Sequence, residues 1–406
     1  MPKFTRKNKA SRPSPKSAAT DDNMSIDDGV SVCSNISDGT SLYDEFEVFN
    51  LPGAANTDPN VDMSSDDLES KLDTSIVDIR NKDLKTRETA LRTLQTLFSQ
   101  KYMYDMILSR KENIIEQLLA CLKKGGEVEG RLAPHVISLF MIQLGIQDED
   151  LYQRFHDILL TIVRDNTKPS SIRSSCAHAI GITNYIAGDD ILNTYELTKS
   201  LENIFSKSYL TEDGTVAPVS NELQQLHTAC LSSWGLLLTA MPDGQADDLL
   251  KTYLVKIPDL IESNDAELRN VAGETIAVMY EIARDINSVY TEPDDYLLDL
   301  LQLKASESAK YKGKKEKRLQ RATFREIYNS FEQGTSPQFE VKFGRETLEI
   351  NTWIKRLHYN TFSRLLGTGM NTHLKQLANK AAFKSRTQAL KKTRENKQTR
   401  TYHVED

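Results

Sequence analysis

Two runs of cations are the residues of this 406-residue chain best suited to chemistry. The first is Lys310, Lys312, Lys314, Lys315, Lys317, Arg318, Arg321 and Arg325. The second is Lys380, Lys384, Arg386, Lys391, Lys392, Arg394, Lys397 and Arg400. Cations at this density neutralise phosphate charge and release counterions, so the chemistry they predict is binding to a phosphate backbone. On a helix the second run would put charge on nearly every face, so it could not be buried in its own protein. A groove of a folded RNA would suit it. A nuclear-localisation signal, which is compatible with nucleic-acid contact, and a merely solvated tail are the alternatives.

No other constellation predicts a reaction. The seven histidines (135, 156, 178, 227, 358, 373 and 403) include no HExxH and no pair at i, i+4. Cys176 and His178 stand two apart on a predicted helix and face different directions, which suits a core thiol and a polar-face imidazole better than a nucleophile and its base. Gly367-Thr368-Gly369 lacks the third glycine and the preceding strand of a dinucleotide site, and reads as a helix C-cap. The four cysteines are 45 or more residues apart, with no CxxC, which excludes a zinc ribbon or disulfide scaffold and suits a reducing compartment. The expectation is a non-enzyme with no cofactor, no metal and no small-molecule substrate.

The elements that must position the cations are marked by charge. Residues 1–70 carry 6 basic and 13 acidic side chains, and 304–406 carry 23 and 10; 71–303 is left with a net −13, and the whole chain with −7. Such segregation gives a basic C-terminal quarter an electrostatic footprint that the acidic middle lacks. Residues 1–67 are basic and then acidic, rich in Ser, Asp, Asn and Gly, and are expected to be disordered. Ser25, Ser41 and Ser64 each precede an Asp by three residues, the pattern of acid-directed kinases, but a solvated acidic tail is the favoured reading over a phospho-switch. The island Tyr43 to Phe49 could dock on a partner or on the folded part. Leu132 to Ile146 is too short for a bilayer, and the N-terminus has no apolar core of a signal peptide, so a soluble intracellular protein is expected.

From 68 to 303 the apolar spacing is helical throughout. Arg87, Arg173 and Arg269 each precede a small residue at +3 (Ala90, Cys176, Ala272) and an aliphatic at +7 (Leu94, Ile180, Ile276). Weaker copies start at Gly130 (Ala133, Ile137) and His227 (Cys230, Trp234). The anchors are 43, 43, 54 and 42 residues apart, and the polar insertion 211–221 accounts for the long interval. Armadillo and HEAT units have this period. The predicted fold class is therefore all-α: an armadillo/HEAT-like α-solenoid of about five repeats. Of the two tryptophans only Trp234 lies in the array, which disfavours an armadillo-type nuclear-import adaptor. A small helix–β-hairpin–helix domain follows over 304–374. Its basic helix buries Phe324, Ile327, Tyr328 and Phe331, strands carry Phe339, Val341, Phe343, Leu348 and Ile350, and a helix from Thr352 buries Trp353, Leu357, Phe362 and Leu365 before Gly367. Residues 375–406 form a basic helical tail.

Several long words in this C-terminal text carry a resemblance: QRATFRE (320–326), KFGRE (342–346), INTWIKR (350–356), HYNTFSRLLGTGMNTHL (358–374) and AAFKSRTQALKKTRENK (381–397). They resemble the interferon-related developmental regulator family, in a short form, and the helical region extends the likeness to about 68–400. The chain departs from the family in the segment before the AAFKSRT word, where only KQLANK (375–380) intervenes. The resemblance implies a non-enzymatic regulator that binds ribosomes and represses translation, its basic C-terminal helix lying in the mRNA channel of idle ribosomes. The partners implied are rRNA and ribosomal proteins. The alternative it implies is a transcriptional co-regulator scaffold in differentiation that contacts histone deacetylase corepressor complexes. Carried over by motif, Lys384, Arg386, Lys391, Lys392 and Arg394 are the expected RNA contacts, with Lys310, Lys312, Lys314, Lys315, Lys317, Arg318 and Arg321 beside them. Trp353, Phe362 and Gly367 are assigned to building the docking domain. A monomer is expected, with no membrane partner, in the cytoplasm and with the nucleus as a second location.

Overall fold

The computed structural model of the chain describes residues 64–145, 149–286, 293–306, 314–344 and 346–375. Thirteen helices come first: α1 (Ser65–Asp78), α2 (Leu84–Gln100), α3 (Tyr104–Leu108), α4 (Lys111–Lys124), α5 (Glu127–Leu144), α6 (Glu149–Arg164), α7 (Ser170–Ala187), α8 (Ile191–Phe205), α9 (Asn221–Leu238), α10 (Asp243–Lys256), α11 (Ala266–Ile286), α12 (Asp295–Ser306) and α13 (Lys314–Gln333). Side chains fix several starts: Ser64, Asp83, Asp190 and Ser220 each accept a backbone N–H from the first turn that follows. Those N–H groups have no partner within the helix.

Packing sorts the helices into pairs. α1 lies on α2, α4 on α5, α6 on α7, α8 on α9, α10 with the 3-10 stretch Ile257–Glu262 on α11, and α12 on α13. The second members stack in the order α2, α5, α7, α9, α11, α13 and form an inner row. The architecture is all-α and solenoid-like, with a small C-terminal β-hairpin.

The anchors of the sequence repeat recur near the start of each inner helix, and the reason for arginine there is visible. Arg87 Nη1 donates to the carbonyls of Asn81 and Lys82, each at 3.0 Å; Arg173 Nε donates to Val163 O at 2.9 Å; Arg269 Nη1 donates to Ser263 O at 2.6 Å. Each acceptor lies at or just past the end of the preceding outer helix, where carbonyls lack helical partners. The +3 residues Ala90, Ala133, Cys176, Cys230 and Ala272 are all buried. Small residues are required where inner helices touch: a Cβ on Gly181 would stand 2.5 Å from Ser233 Cβ. The insertion 211–221 is a loop closed by a turn between Thr211 and Thr215, with Gly214 at φ 75°.

Two boundaries differ from expectation. The first helix begins at Ser65, inside the segment assigned to disorder. The division at 303/304 falls within α12, and α13 packs on α12 and α11 as the earlier pairs do, so there are six pairs instead of about five. The sixth copy of the repeat is Gln320, Thr323 and Ile327, all buried, and Gln320 Oε1 accepts from Arg269 Nη2 at 2.6 Å. Basic composition hid it. Lys304, counted as the start of the basic quarter, is buried and pairs with Glu262 at 2.9 Å.

The expected strands are present as β1 (Phe339–Phe343) and β2 (Glu346–Ile350), antiparallel, with Phe339 opposite Ile350 and Phe343 opposite Glu346. They are the only strands among the described residues. Then come α14 (Trp353–Leu366), a 3-10 turn (Gly367–Gly369) and α15 (Met370–Lys375). Among the described residues no helix is long and apolar enough to cross a membrane.

Candidate nucleic-acid interface

The first cationic run belongs to the last inner helix. Positions 314, 318, 321 and 325 share one stripe of α13 at spacings of four, three and four, while the buried positions 320, 323, 324, 327 and 330 take the opposite face. Arg325 is exposed and Arg321 half-buried. Lys314, Lys315, Lys317 and Arg318 lie on the helix, and Lys310 and Lys312 fall outside the described residues. The five tail positions, Lys384, Arg386, Lys391, Lys392 and Arg394, also lie outside them.

The residues between the two runs do not form a separate docking unit. α14 and α15 make a strap that folds back along the inner row and ends against its first helix, α2. Glu281 of α11 receives the start of α14: Trp353 N–H donates to Oε2 at 2.7 Å and Ile354 N–H to Oε1 at 3.2 Å. A carboxylate suits a helix N-terminus, where unpaired donors and the dipole favour negative charge. Burial nevertheless pushes the Glu281 carboxyl up from its ordinary range, and the two backbone donors only partly offset this. Trp353 Nε1 donates to Ser330 Oγ at 2.9 Å, and Arg356 Nη1 donates to Glu326 Oε2 at 2.6 Å, with its guanidinium 5.1 Å from the Trp353 ring.

Further along, His358 is buried between α7 and the end of α9. Thr239 Oγ1 gives its own proton to Leu236 O, so it accepts from His358 Nε2–H at 2.8 Å, and Tyr185 OH faces Nδ1 at 3.5 Å. Burial alone drives this imidazole down to about 4. Beneath the last turns of α14 lies a small cavity of about 30 Å³, lined by His135, Ser138, His178, Ser232, Thr361 and Arg364 among others. Desolvation, opposed by a backbone contact with Leu365, holds His135 down at about 3. Desolvation, followed by Arg364 and His135, holds His178 at about 3 as well. At the far end a Cβ on Gly369 would stand 1.8 Å from Ser99 O, so only glycine lets the strap reach α2. His373 Nε2 donates to Phe98 O at 3.1 Å.

α13 is at one end of the row and Lys375, the last described residue before the tail, is at the other. Trp353 and Phe362 are buried in the strap, and Gly367 ends α14 at φ 52°, a left-handed value that glycine accepts freely. Cys176 is a core thiol raised by burial and His178 looks toward the strap, so the two do not act together. Glu281, Arg356, His358 and Gly369 escaped sequence reading. The available signal was an arginine and a histidine embedded in the apolar stripe Trp353, Leu357, Phe362 of a helix.

Comparison with known proteins accounts for both parts of this arrangement. The model of the family described as "Interferon-related developmental regulator" matches residues 29–332, so it runs through the sixth pair, and that of the "Interferon-related protein conserved region" matches 363–398. Interferon-related developmental regulator 1 of mouse is 33% identical over 414 residues, spanning 93% of this chain and 90% of the relative. Interferon-related developmental regulator 2 of mouse is 31% identical over 367 residues, spanning 82% and 83%. Among solved structures, a designed armadillo repeat protein is similar over 63% of this chain and 98% of its own, at 13% identity and a TM-score of 0.37, too low to carry an argument about the repeat class. With family models covering both the row and the end of the strap, and relatives matched over nearly the whole chain, the protein belongs to the interferon-related developmental regulator family.

Proposed function

We propose that this chain, a regulator and not an enzyme by its family, acts as a co-regulator scaffold in differentiation that contacts histone deacetylase corepressor complexes. The observation that carries the reading is the relatives' common description as developmental regulators. The row supports it: stacked helical pairs, which we read as armadillo/HEAT-like repeats, offer extended surfaces suited to protein partners. Residues 71–303 are net acidic at −13, a charge that suits basic protein surfaces. The chain would act as a monomer, in the nucleus when so engaged and otherwise in the cytoplasm.

A second reading has its own support. The +13 of residues 304–406 favours ribosome binding that represses translation, with rRNA and ribosomal proteins as partners and the basic C-terminal helix in the mRNA channel. Sucrose-gradient sedimentation of the full chain, with and without ribonuclease, separates the two. The co-regulator reading expects a nuclear, ribosome-free pool that co-purifies deacetylase activity. Ribonuclease-sensitive co-migration with monosomes would overturn it in favour of the ribosome. In that case replacing Lys384, Arg386, Lys391, Lys392 and Arg394 with Ala should relieve repression in cell-free translation while much of the co-sedimentation remains.

A further inference from the structure

Four of the seven histidines of the chain meet at one boundary, the one between the strap and the inner row. His358 and His373 stand on the strap and face Thr239, Tyr185 and the Phe98 carbonyl. His135 and His178 stand on the row and face the last turns of α14 across the small cavity. The described histidines elsewhere, His156 on α6 and His227 on α9, are enclosed within the helical pairs, against Tyr152 and Ser208. We propose that the strap is a proton-gated closure of the inner face: it lies down at neutral pH and lifts on mild acidification, while the helical pairs stay folded. The proposal holds whichever partner the chain serves.

The surroundings of each imidazole set the direction. His358 meets the Thr239 hydroxyl and the hydroxyl and ring of Tyr185, 5.1 Å between centroids, and among the described residues no carboxylate stabilises its cation. His178 feels the Arg364 guanidinium and His135, both of which disfavour added charge, whereas for His135 desolvation outweighs a backbone partner at Leu365; Glu267 lies near enough to Arg364 to feel its field. His373 meets the Phe98 and Ser99 backbone and the edge of Tyr102, 6.3 Å between centroids. Closed, all four are held below the ordinary imidazole value. Open to water, each would titrate near ~6.5. The open form then takes up protons more readily than the closed one, so closure is favoured above that value and weakens as pH falls below it.

Two groups oppose this. The Glu281 carboxyl is raised by burial in the closed form, and so is Glu267 near Arg364; protonation of either favours closure, but that is two sites against four and both start from the carboxylate range. Each freed imidazole multiplies the open population by roughly 3 between pH 7 and pH 6, and four of them by on the order of 10². What lifts is suited to lifting. The strap is seated by apolar side chains such as Trp353, Leu357 and Phe362 and by hydrogen bonds spaced along it, beside a small cavity that already separates part of it from the row.

Hydrogen exchange read by mass spectrometry on the unmodified full chain tests the closure, with protection factors corrected for the intrinsic pH dependence of exchange. Protection over 353–375 should fall by on the order of 10² between pH 7 and pH 6, whereas α4 and α8, which hold no histidine, should change less than ~3-fold. Constant protection over 353–375 overturns the proposal, and so does a parallel loss in α4 and α8, which would report global unfolding. The double variant H358Q/H373Q should keep only about a tenfold fall. A full fall in that variant, with its helix content unchanged by circular dichroism, overturns the assignment to histidine. If the variant does not fold, the comparison of segments in the unmodified chain decides.

Discussion

The inner row and the strap bury similar aromatic and aliphatic side chains but are held by different means. Within the row, contacts are close and mainly apolar, with a few buried hydrogen bonds such as Arg269 to Gln320 and Ser233 to Ala177 O. Trp234 is fully buried between the Phe205 and Tyr253 rings, at 6.2 and 5.3 Å, and Gly181 and Gly273 leave no room for a methyl group without displacing Ser233 or Phe324. Where the strap lies on the row, polar groups are spaced along it: the Glu281 cap, Arg356 on Glu326, His358 on Thr239, and His373 on Phe98 O. The row is continuous because each pair buries its neighbour, and apolar packing of this kind has no directional requirement. The strap must instead satisfy the ends and sides of a helix laid across other helices, so its geometry is fixed by directional bonds. A surface closed in the second way can reopen without dissolving the first.

The largest effect should follow from breaking the row. Trp234→Ala removes the biggest fully buried side chain, and aromatic truncations in cores cost about 3–5 kcal/mol. Chemical denaturation should show one cooperative loss in which the strap goes with the row. If strap and row unfolded separately in this variant, the comparison drawn above would be too weak. Gly369→Ala is next. Its methyl would meet the Ser99 carbonyl, which is backbone and cannot rotate away, so about 1–3 kcal/mol of overpacking falls on the strap's anchorage. Proteolysis near 367–375 should accelerate with the denaturation midpoint of the row nearly unchanged.

The two regions were unequally legible. The row was readable because its repeat is chemical as well as periodic: an arginine that reaches the end of the preceding helix, a small residue three on, an aliphatic seven on. Its sixth copy was missed because Gln320 takes the arginine's place within a cationic stretch, where charge outweighed period. The hairpin and the limits of α14 were also readable, since Thr352 caps one end and Gly367 the other. Where α14 lies was not. Helical spacing shows that Trp353, Leu357 and Phe362 face something apolar, and the same spacing serves a self-contained domain or a strap. Only Arg356 and His358, polar residues inside that stripe, hint that the partner is a surface with its own polar groups, and a single sequence does not say which. The expected tail contacts lie outside the described residues, so for those five cations the charge pattern is the whole of the reading.

Glu281→Gln sharpens the contrast at smaller magnitude. The amide keeps one acceptor for the Trp353 N–H but loses the charge that faces the N-terminus of α14, a change worth about 0.5–2 kcal/mol. Because burial already opposes ionisation of this carboxyl, the loss should sit at the low end of that range and be confined to exchange protection in the first turn of α14.

The smallest effect is expected where a polar contact belongs to the row's outer side. Arg110 reaches Glu69 at 2.6 Å and pairs with Asp73 as well, and those bonds raise its guanidinium and lower the Asp73 carboxyl. On contact geometry alone this cluster rivals Arg356. Both carboxylates are about half exposed, however, at 49% and 52%, so water and salt screen the attraction and replace it when it is lost. Arg110→Gln should therefore cost no more than ~1 kcal/mol, and the cost should shrink further in 0.5 M salt. Arg356→Gln removes the guanidinium from Glu326 in a less exposed setting, so it should cost more and depend less on salt. Urea denaturation of both variants at low and high ionic strength gives the comparison directly. Equal costs with equal salt sensitivity would mean that the strap's contacts are as well solvated as those on the outer side of the row, and the directional closure argued for α14 would then rest on packing alone.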